Sequence, residues 1–286
     1  MYKMVLMNDA SQRLDFNDVG GMFKITEVSG LYPADALINT DQAAYIDGGK
    51  FNSSKVNMRT INFGFSIEHD AELARRQVYR VLQPKRPVKL FYESDLYDVY
   101  IEGYVQSLII NHFDAKQTAT MTMLCPFPYF KEAQEIVEEF SSLTKKFHFP
   151  FYSTETPKQI IMGEIKAIPD MYVRNGGMIE TGLTIELYAR GPVSGIKVYN
   201  YDTQEYIGVN QEMIRGDLIT ITTGQGNKTA TLMREGVTTN IFNSIMEGST
   251  WLQLPPDGMT MVYSVETGLS TNLILTVKHF NLFEGV

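Results

Sequence analysis

The chain has 286 residues, 44% of them hydrophobic, enough for two domains of ordinary size and too apolar for wholesale disorder. A formal net charge of −8 argues against a stably bound nucleic acid, which would call for a basic, phosphate-neutralising face. Cys125 is the single cysteine, which excludes an intrachain disulfide and fits a reducing compartment.

The opening MYKMVLMNDASQRLDF is interrupted by Asp9, Arg13 and Asp15 too early for a signal peptide. No apolar stretch approaches the ~20 residues of a membrane span. The expectation is a soluble product made in a cytoplasm, with no membrane partner. With 16 Tyr, 16 Phe and one Trp, the chain is rich in residues that fill sheet faces and anchor interfaces.

Residues 41–58, DQAAYIDGGKFNSSKVNM, read as a long polar loop, turn-rich at Gly48-Gly49 and Asn52-Ser53-Ser54 and dotted with Tyr45, Ile46, Phe51 and Val56. A loop of this length without its own core is either a mobile surface segment or functional. In the second case it is an arm laid over a neighbouring subunit, anchored by Tyr45 and Phe51.

Ala71, Ala74, Val78, Val81 and Leu82 fall on one stripe at i, i+3, i+7, i+10 and i+11, which predicts a helix over 70–82. Asp70 is placed to cap it, Glu72 sits in its first turn, and Pro84 and Pro87 stop it. Its opposite face carries Glu72, Arg75, Arg76 and Arg80, a solvated surface or one side of a subunit contact.

Segments 88–93 and 96–105 predict a hairpin turning at Ser94-Asp95, with Tyr97, Val99 and Ile101 alternating with Asp98, Tyr100 and Glu102. In 118–124, Ala119, Met121 and Met123 face one way and Thr118, Thr120 and Thr122 the other. Pro126 and Pro128 then end the sheet. Residues 131–156 form a connector, and the helical spacing of Ala133, Ile136, Val137 and Phe140 leaves helix, strand and loop open. The boundary is set near 145, dividing 1–145 from 146–286. Beyond 160, short strands are expected at 171–174, 183–187, 195–199, 217–222, 229–234, 250–254, 259–264 and 272–278. Turns such as Asn175-Gly176-Gly177 and Pro255-Pro256-Asp257-Gly258 separate them, the pattern of a β-sandwich or jelly roll.

Constellations that would carry chemistry do not form in the sequence. His69, His112, His148 and His279 stand apart, without a second ligand at metal spacing. Gly191-Pro-Val-Ser194-Gly195 places its serine one position late for a nucleophile elbow. Gly224-Gln-Gly226-Asn-Lys228-Thr229 lacks the glycine directly before the lysine that a phosphate loop needs, and reads as a hairpin turn. Glu132, Glu135, Glu138 and Glu139 read as a solvated acidic face, and Cys125 as a buried thiol. No catalytic residue, metal site or cofactor is expected.

The order of motifs resembles the siphophage distal tail protein family over nearly the whole chain. In the first half the marks are Arg59-Thr-Ile61 entering a strand, then AELARRQVYRVLQPKRPVKLFY, then Gly103-Tyr-Val105, then MTMLCPFPYF ending at Phe130. In the second, DLITITTGQGNKTATLMREG precedes TNIFNSIMEGSTWLQLPPDGMTMVY. The resemblance implies a mainly β fold: a tail-tube-like β-sandwich with one α-helix, then a galectin-like β-sandwich. It implies a non-enzymatic virion protein of the tail tip, made in the bacterial host cytoplasm. Six copies would form a ring passing tape measure and DNA. Its partners would be the tail tube protein, the tape measure protein and tail-associated fibres, lysins or receptor-binding proteins. Subunit contacts would fall to Tyr45, Phe51, Arg75, Arg76 and Arg80. The competing reading is a carbohydrate-binding module of the adsorption apparatus. Trp251, Tyr199, Tyr201 and Tyr206 would then be the saccharide contacts, although the galectin pattern His-x-Asn-x-Arg is missing.

Overall fold

A computed structural model describes residues 2–17, 20–42, 45, 47–114, 116–145, 163–167 and 170–286. Residues 146–156 of the connector, His148 among them, lie outside these. The chain divides into two compact units, Met1–Gln134 with Leu282–Val286, and Glu135–Asn281. The division thus falls before the expected boundary at 145, and five residues from the far end of the chain belong to the first unit.

The first unit runs β1 (Lys3–Asn8), β2 (Arg13–Phe16), β3 (Phe23–Ser29), β4 (Ala36–Asp41), β5 (Lys50–Val56), β6 (Arg59–Ile67) and α1 (Ala71–Val81). After the helix come β7 (Pro87–Glu93), β8 (Asp98–Ile110), β9 (Thr118–Cys125) and β10 (Phe130–Glu132). Antiparallel pairing gives the order β2-β1-β7-β8-β9-β6-β3. Strict alternation sets the buried face: Ile61, Phe63, Phe65 and Ile67 from β6, and Ala119, Met121, Met123 and Cys125 from β9. Phe16 sits among Phe23, Phe63 and Phe65 with ring centroids 4.7–5.7 Å apart, and α1 adds Ala74, Val78 and Val81 to the same core. Each fully buried phenylalanine contributes roughly 2–3 kcal/mol of transfer free energy.

Three expectations change here. Asp70 precedes the helix in the left-handed region, φ 48°, and its side chain makes no capping bond. Tyr100, expected on the polar face of β8, is buried, because β10 pairs along that strand and Lys131 lies opposite it. Phe91 packs on the Tyr100 ring at 5.5 Å, with the Lys89 ammonium 4.8 Å from its centroid. The segment 41–58 is not an irregular loop throughout: its second half is β5, hydrogen-bonded to β4 as a separate two-stranded ribbon. Its Ile46 lies outside the described residues.

Arg59 holds this unit together from the start of β6. The side chain is 2% exposed and donates four hydrogen bonds to backbone carbonyls. Nε reaches Pro128 at 2.6 Å, Nη1 reaches Gly30 at 2.8 Å and Tyr32 at 2.6 Å, and Nη2 bonds Glu284. The guanidinium lies 4.8 Å from the centroid of the Phe130 ring. Burial lowers its pKa, while Cys125, Glu284 and Tyr129 act in the opposite direction. The chain's last strand, Leu282–Phe283, pairs with β10, and the Val286 N–H donates to Leu31 at 3.0 Å. The second unit is therefore an insertion between two paired strands of the first.

That unit begins with β11 (Ile136–Glu139) and β12 (Ser141–Lys145), so the described part of the connector is mainly strand, its β-branched Ile136 and Val137 pairing with the sheet. The strands β13 (Gly163–Ala167), β14 (Asp170–Val173), β15 (Thr181–Gly182), β16 (Thr184–Ala189), β17 (Val193–Asn200) and β18 (Tyr206–Val209) follow. The remainder is β19 (Leu218–Gly224), β20 (Asn227–Arg234), β21 (Val237–Asn240), β22 (Gln253–Leu254), β23 (Met259–Gly268) and β24 (Leu273–His279). One sheet is β11-β24-β16-β19-β20-β21 and a second is β14-β23-β17-β18. Ile185, Leu187, Ile219, Ile221 and Leu275 from the first share one core with Ile196, Val198, Met261 and Tyr263 from the second. It is a β-sandwich. Beyond the expected strands it has β13, β15, β18 and β21, and of 250–254 only β22 is strand.

Two sets of charged groups sit inside the sandwich. Asp217, 1% exposed, accepts hydrogen bonds from Arg234 Nε at 2.9 and 3.1 Å and from the Ile214 N–H at 2.8 Å. The Arg234 hydrogen bond is the main reason its pKa is lowered. His279 is 2% exposed, and burial lowers its pKa, partly offset by the Arg174 backbone. On the neighbouring strand, burial raises the pKa of Glu138.

Two outcomes are expected. Arg59→Met leaves four carbonyls without their donor and destabilises the first unit by about 3 kcal/mol or more. In a denaturant titration its transition moves while that of the second unit stays; an unmoved first transition refutes the clamp. For His279 the folded pKa lies below the unfolded one, so its neutral form is favoured and stability falls as pH drops below about 6.5. Glu138 acts oppositely in the acid range, its folded pKa lying above the unfolded one, so the histidine must be isolated by difference. Comparing melts of the native chain and His279→Leu at neutral and mildly acidic pH does this. The variant loses less stability on acidification, and equal losses would show that the buried imidazole is not responsible.

Candidate subunit interface

The β4–β5 ribbon is an arm without a core. All six residues of β4 and all seven of β5 are exposed. Leu37, Ile38, Phe51 and Val56 stand among them, and Phe51 is 59% exposed. Tyr45, beyond the end of β4, is 99% exposed. Backbone pairing and one side-chain bond, Asn39 Nδ2 to Ser53 Oγ at 3.0 Å, hold the ribbon. A two-stranded hairpin of this kind is at best marginally stable in water. Exposed apolar groups gathered on one element make the ribbon a candidate interface.

The arm's root is rigid. Arg59 binds the carbonyls of Gly30 and Tyr32, and the Asn57 N–H donates to Asp35 at 2.9 Å. Gly30 has φ +88°, and a Cβ there would lie 2.2 Å from the Thr60 carbonyl oxygen, so only glycine fits the turn.

The three arginines lie on α1, apart from the arm in sequence. Arg75 donates to Gln117 Oε1 at 2.7 Å, and Arg80 donates to the Gln12 amide oxygen, oriented to accept, at 2.7 and 3.0 Å. Arg76 and Arg80 line a groove of about 470 Å3 with Gln12, Arg13, Leu73, Gln77 and Val81; Arg75 is not among its walls.

The four aromatics named for saccharide do not form a platform. Trp251 packs partly against the sandwich core, Phe242 stacks on it at 5.5 Å and 24°, and the Lys228 ammonium lies 5.4 Å from its centroid. Tyr199 and Tyr206 face each other across β17 and β18 but tilt by 43°, and the Tyr206 hydroxyl donates to the Glu247 carbonyl at 2.9 Å. Tyr201 is exposed in the turn after β17.

Groups with chemical potential are tied down. Burial pushes the Cys125 thiol up to about 12, so it stays protonated and inert. His112 is hydrogen-bonded to Tyr79 at 3.1 Å. The stretch from Gly224 to Thr229 is the tight turn of the β19–β20 hairpin, with Gly226 at φ +77°. Among the described residues no group of three or more His, Cys, Asp or Glu is placed to hold a metal. Sequence reasoning named Arg59 only as a motif member and missed its clamping role, because its acceptors are backbone carbonyls far apart in sequence; it also missed β4, which carries Leu37 and Ile38 of the arm.

Residues 18–125 match the domain family described as Phage tail protein RIFT-related domain. Residues 176–278 match the one described as Siphovirus-type tail component, C-terminal domain. No curated protein matches the sequence. Among solved structures, the SPP1 Dit protein, called a paradigm of the hub adsorption apparatus in phages infecting Gram-positive hosts, is similar with a TM-score of 0.67 at 14% identity, over 98% of this chain and 99% of that one. A chain of the phage P2 baseplate in its activated conformation with Ca gives a TM-score of 0.53 at 12% identity, over 100% of both chains. A chain of the same baseplate with Sr gives 0.51 at 12% identity, over 97% of this chain and 98% of that one. With both domain matches in this order, on the fold of a solved hub protein, the chain belongs to the siphophage distal tail protein family.

Proposed function

We propose that six copies of this chain close into a ring at the distal end of a phage tail, joining the tail tube to the adsorption apparatus. The observation that carries this is the arm: a fully exposed ribbon with apolar side chains on a rigid root is built to be covered by another subunit. Head-to-tail contacts of this kind generate rings when the rotation closes. A net charge of −8 suits a conduit through which DNA must pass without sticking. The sandwich unit, compatible with a galectin-like fold, sits on the outside of the ring as an attachment module. The role is structural and non-enzymatic, in the virion tail tip after synthesis in the host cytoplasm. Partners are the tail tube protein, the tape measure protein and the tail-associated fibre, lysin or receptor-binding proteins. No observation on the sandwich favours the carbohydrate reading over this one.

The test is Tyr45→Ala with Phe51→Ala. Truncating central aromatic anchors commonly costs about 2 kcal/mol or more per interface, and ring closure compounds it. Rings on electron-microscopy grids should be lost, while melting of the isolated chain stays unchanged because both side chains are exposed. Rings that form as before would sink the arm reading, and an unfolded monomer would return both residues to the core.

A further inference from the structure

The chain segregates its charge within the first unit. Residues 73–92 hold Arg75, Arg76, Arg80, Lys85, Arg86 and Lys89 and no acidic residue. Residues 35–49, which include β4 and the described part of the arm's tip, hold Asp35, Asp41 and Asp47 and no basic residue, with Lys50 opposite Asp41 where β5 begins. Ion pairing sharpens the contrast. Arg13 pairs with Asp15, Arg86 with Asp9, and Lys89 with Glu102. Among the described residues, none of Arg75, Arg76, Arg80, Asp35, Asp41 or Asp47 enters an ion pair. Arg75 and Arg80 bond neutral amide oxygens instead, so their charges stay uncompensated.

The two surfaces also match in kind. The α1 groove has Leu73, 56% exposed, and Val81 in its lining, with Arg13, Arg76 and Arg80 beside them. An occupant needs an apolar or aromatic group flanked by carboxylates. The arm's tip offers Tyr45 between Asp41 and Asp47, all exposed. A tyrosine ring entering among guanidinium groups gains cation–π attraction as well as apolar contact. Within one chain the tip does not occupy this groove, since Tyr45 is 99% exposed. Six residues of β4 carry the tip on the order of 20 Å from its root, far enough to reach a neighbour.

We propose that the groove beside α1, lined by Arg13, Leu73, Arg76 and Arg80, receives the acidic, tyrosine-bearing arm tip of a second copy of this chain. This rests on the arm reading above and gives the arm its receptor. The contact is heterologous: each copy presents one tip and one groove, so each can both grasp and be grasped. Two uncompensated arginines, Arg76 and Arg80, beside the exposed Leu73 suit a carboxylate-bearing peptide better than a duplex, whose binding needs a broad run of phosphate contacts.

Charge exchange in the full-length chain tests it, with assembly followed by sedimentation and electron microscopy at low and high salt. Arg76→Glu with Arg80→Glu should weaken association on the order of tenfold or more, as should Asp41→Lys with Asp47→Lys. The chain carrying all four substitutions should recover it, because the pairs are reformed with reversed sign. Circular dichroism confirms that each variant is folded, and the arm pair supplies an independent route should the helix pair disturb α1. Association that ignores both pairs, or that the fourfold exchange does not restore, overturns the proposal. If rings survive both charge pairs but fall with Tyr45→Ala and Phe51→Ala, the arm reading stands and this receptor does not. A native chain that never associates refutes both. Retained rings with loss of duplex DNA binding in the Arg76→Glu, Arg80→Glu chain would assign the groove to nucleic acid instead.

Discussion

One buried guanidinium sets the geometry of the first unit. Arg59 satisfies carbonyls at Gly30, Tyr32, Pro128 and Glu284, which belong to three separate stretches of chain. No other side chain could do this as well: arginine presents five donors in a fixed planar fork, while lysine offers a point charge. The cost of burying the cation is offset by those bonds and by the Phe130 ring. Arm root, β9–β10 turn and returning tail are therefore held by one group.

From that constraint the domain logic follows. Because Leu282–Phe283 pairs with β10, the first unit is complete only with residues that follow the whole sandwich in sequence. The sandwich enters and leaves through neighbouring strands, which fixes two covalent connections to the same small region. Gly285 makes the tail's approach possible, since a Cβ there would lie 2.9 Å from the Leu31 carbonyl oxygen. The tail therefore buttresses the loop from which the arm springs.

The sequence was legible where one face of an element is buried and opaque where it is not. The α1 stripe and the Met/Thr alternation of β9 each record a single core face, and their outlines emerged within a residue or two. The arm strands carry no such record. With both faces exposed, Leu37, Ile38, Phe51 and Val56 have no common side to repeat on, and 41–58 read as a loop. The spacing of Ile136, Val137 and Phe140 suits helix and strand alike, and pairing with β24 decided it. Arg59 was visible only as a motif member, because carbonyl acceptors leave no residue signature. Tyr45, Phe51 and the α1 arginines were legible as candidate subunit contacts; the proposed match between arm and helix draws in addition on the ion pairs found among the described residues.

An arm of this composition is a hazard to a lone copy. Among the described residues its two edges are unpaired and its apolar groups are exposed, the features that drive indiscriminate strand pairing. The sequence moderates the risk at the arm itself: Lys50 and Lys55 lie on β5, Asp41 ends β4, and a bulge between Asn39 and Thr40 interrupts the register. These devices disfavour flat edge-to-edge stacking but leave Tyr45 and the Asp pair available to a shaped, oppositely charged receptor. In the proposed contact, selectivity would come from charge and shape together, with like-charged tips repelling each other and favouring a groove over another arm. In the proposed ring, the same exposure that makes the arm marginal in isolation would make its ordering depend on the neighbour, so that assembly and folding of this element would be one equilibrium.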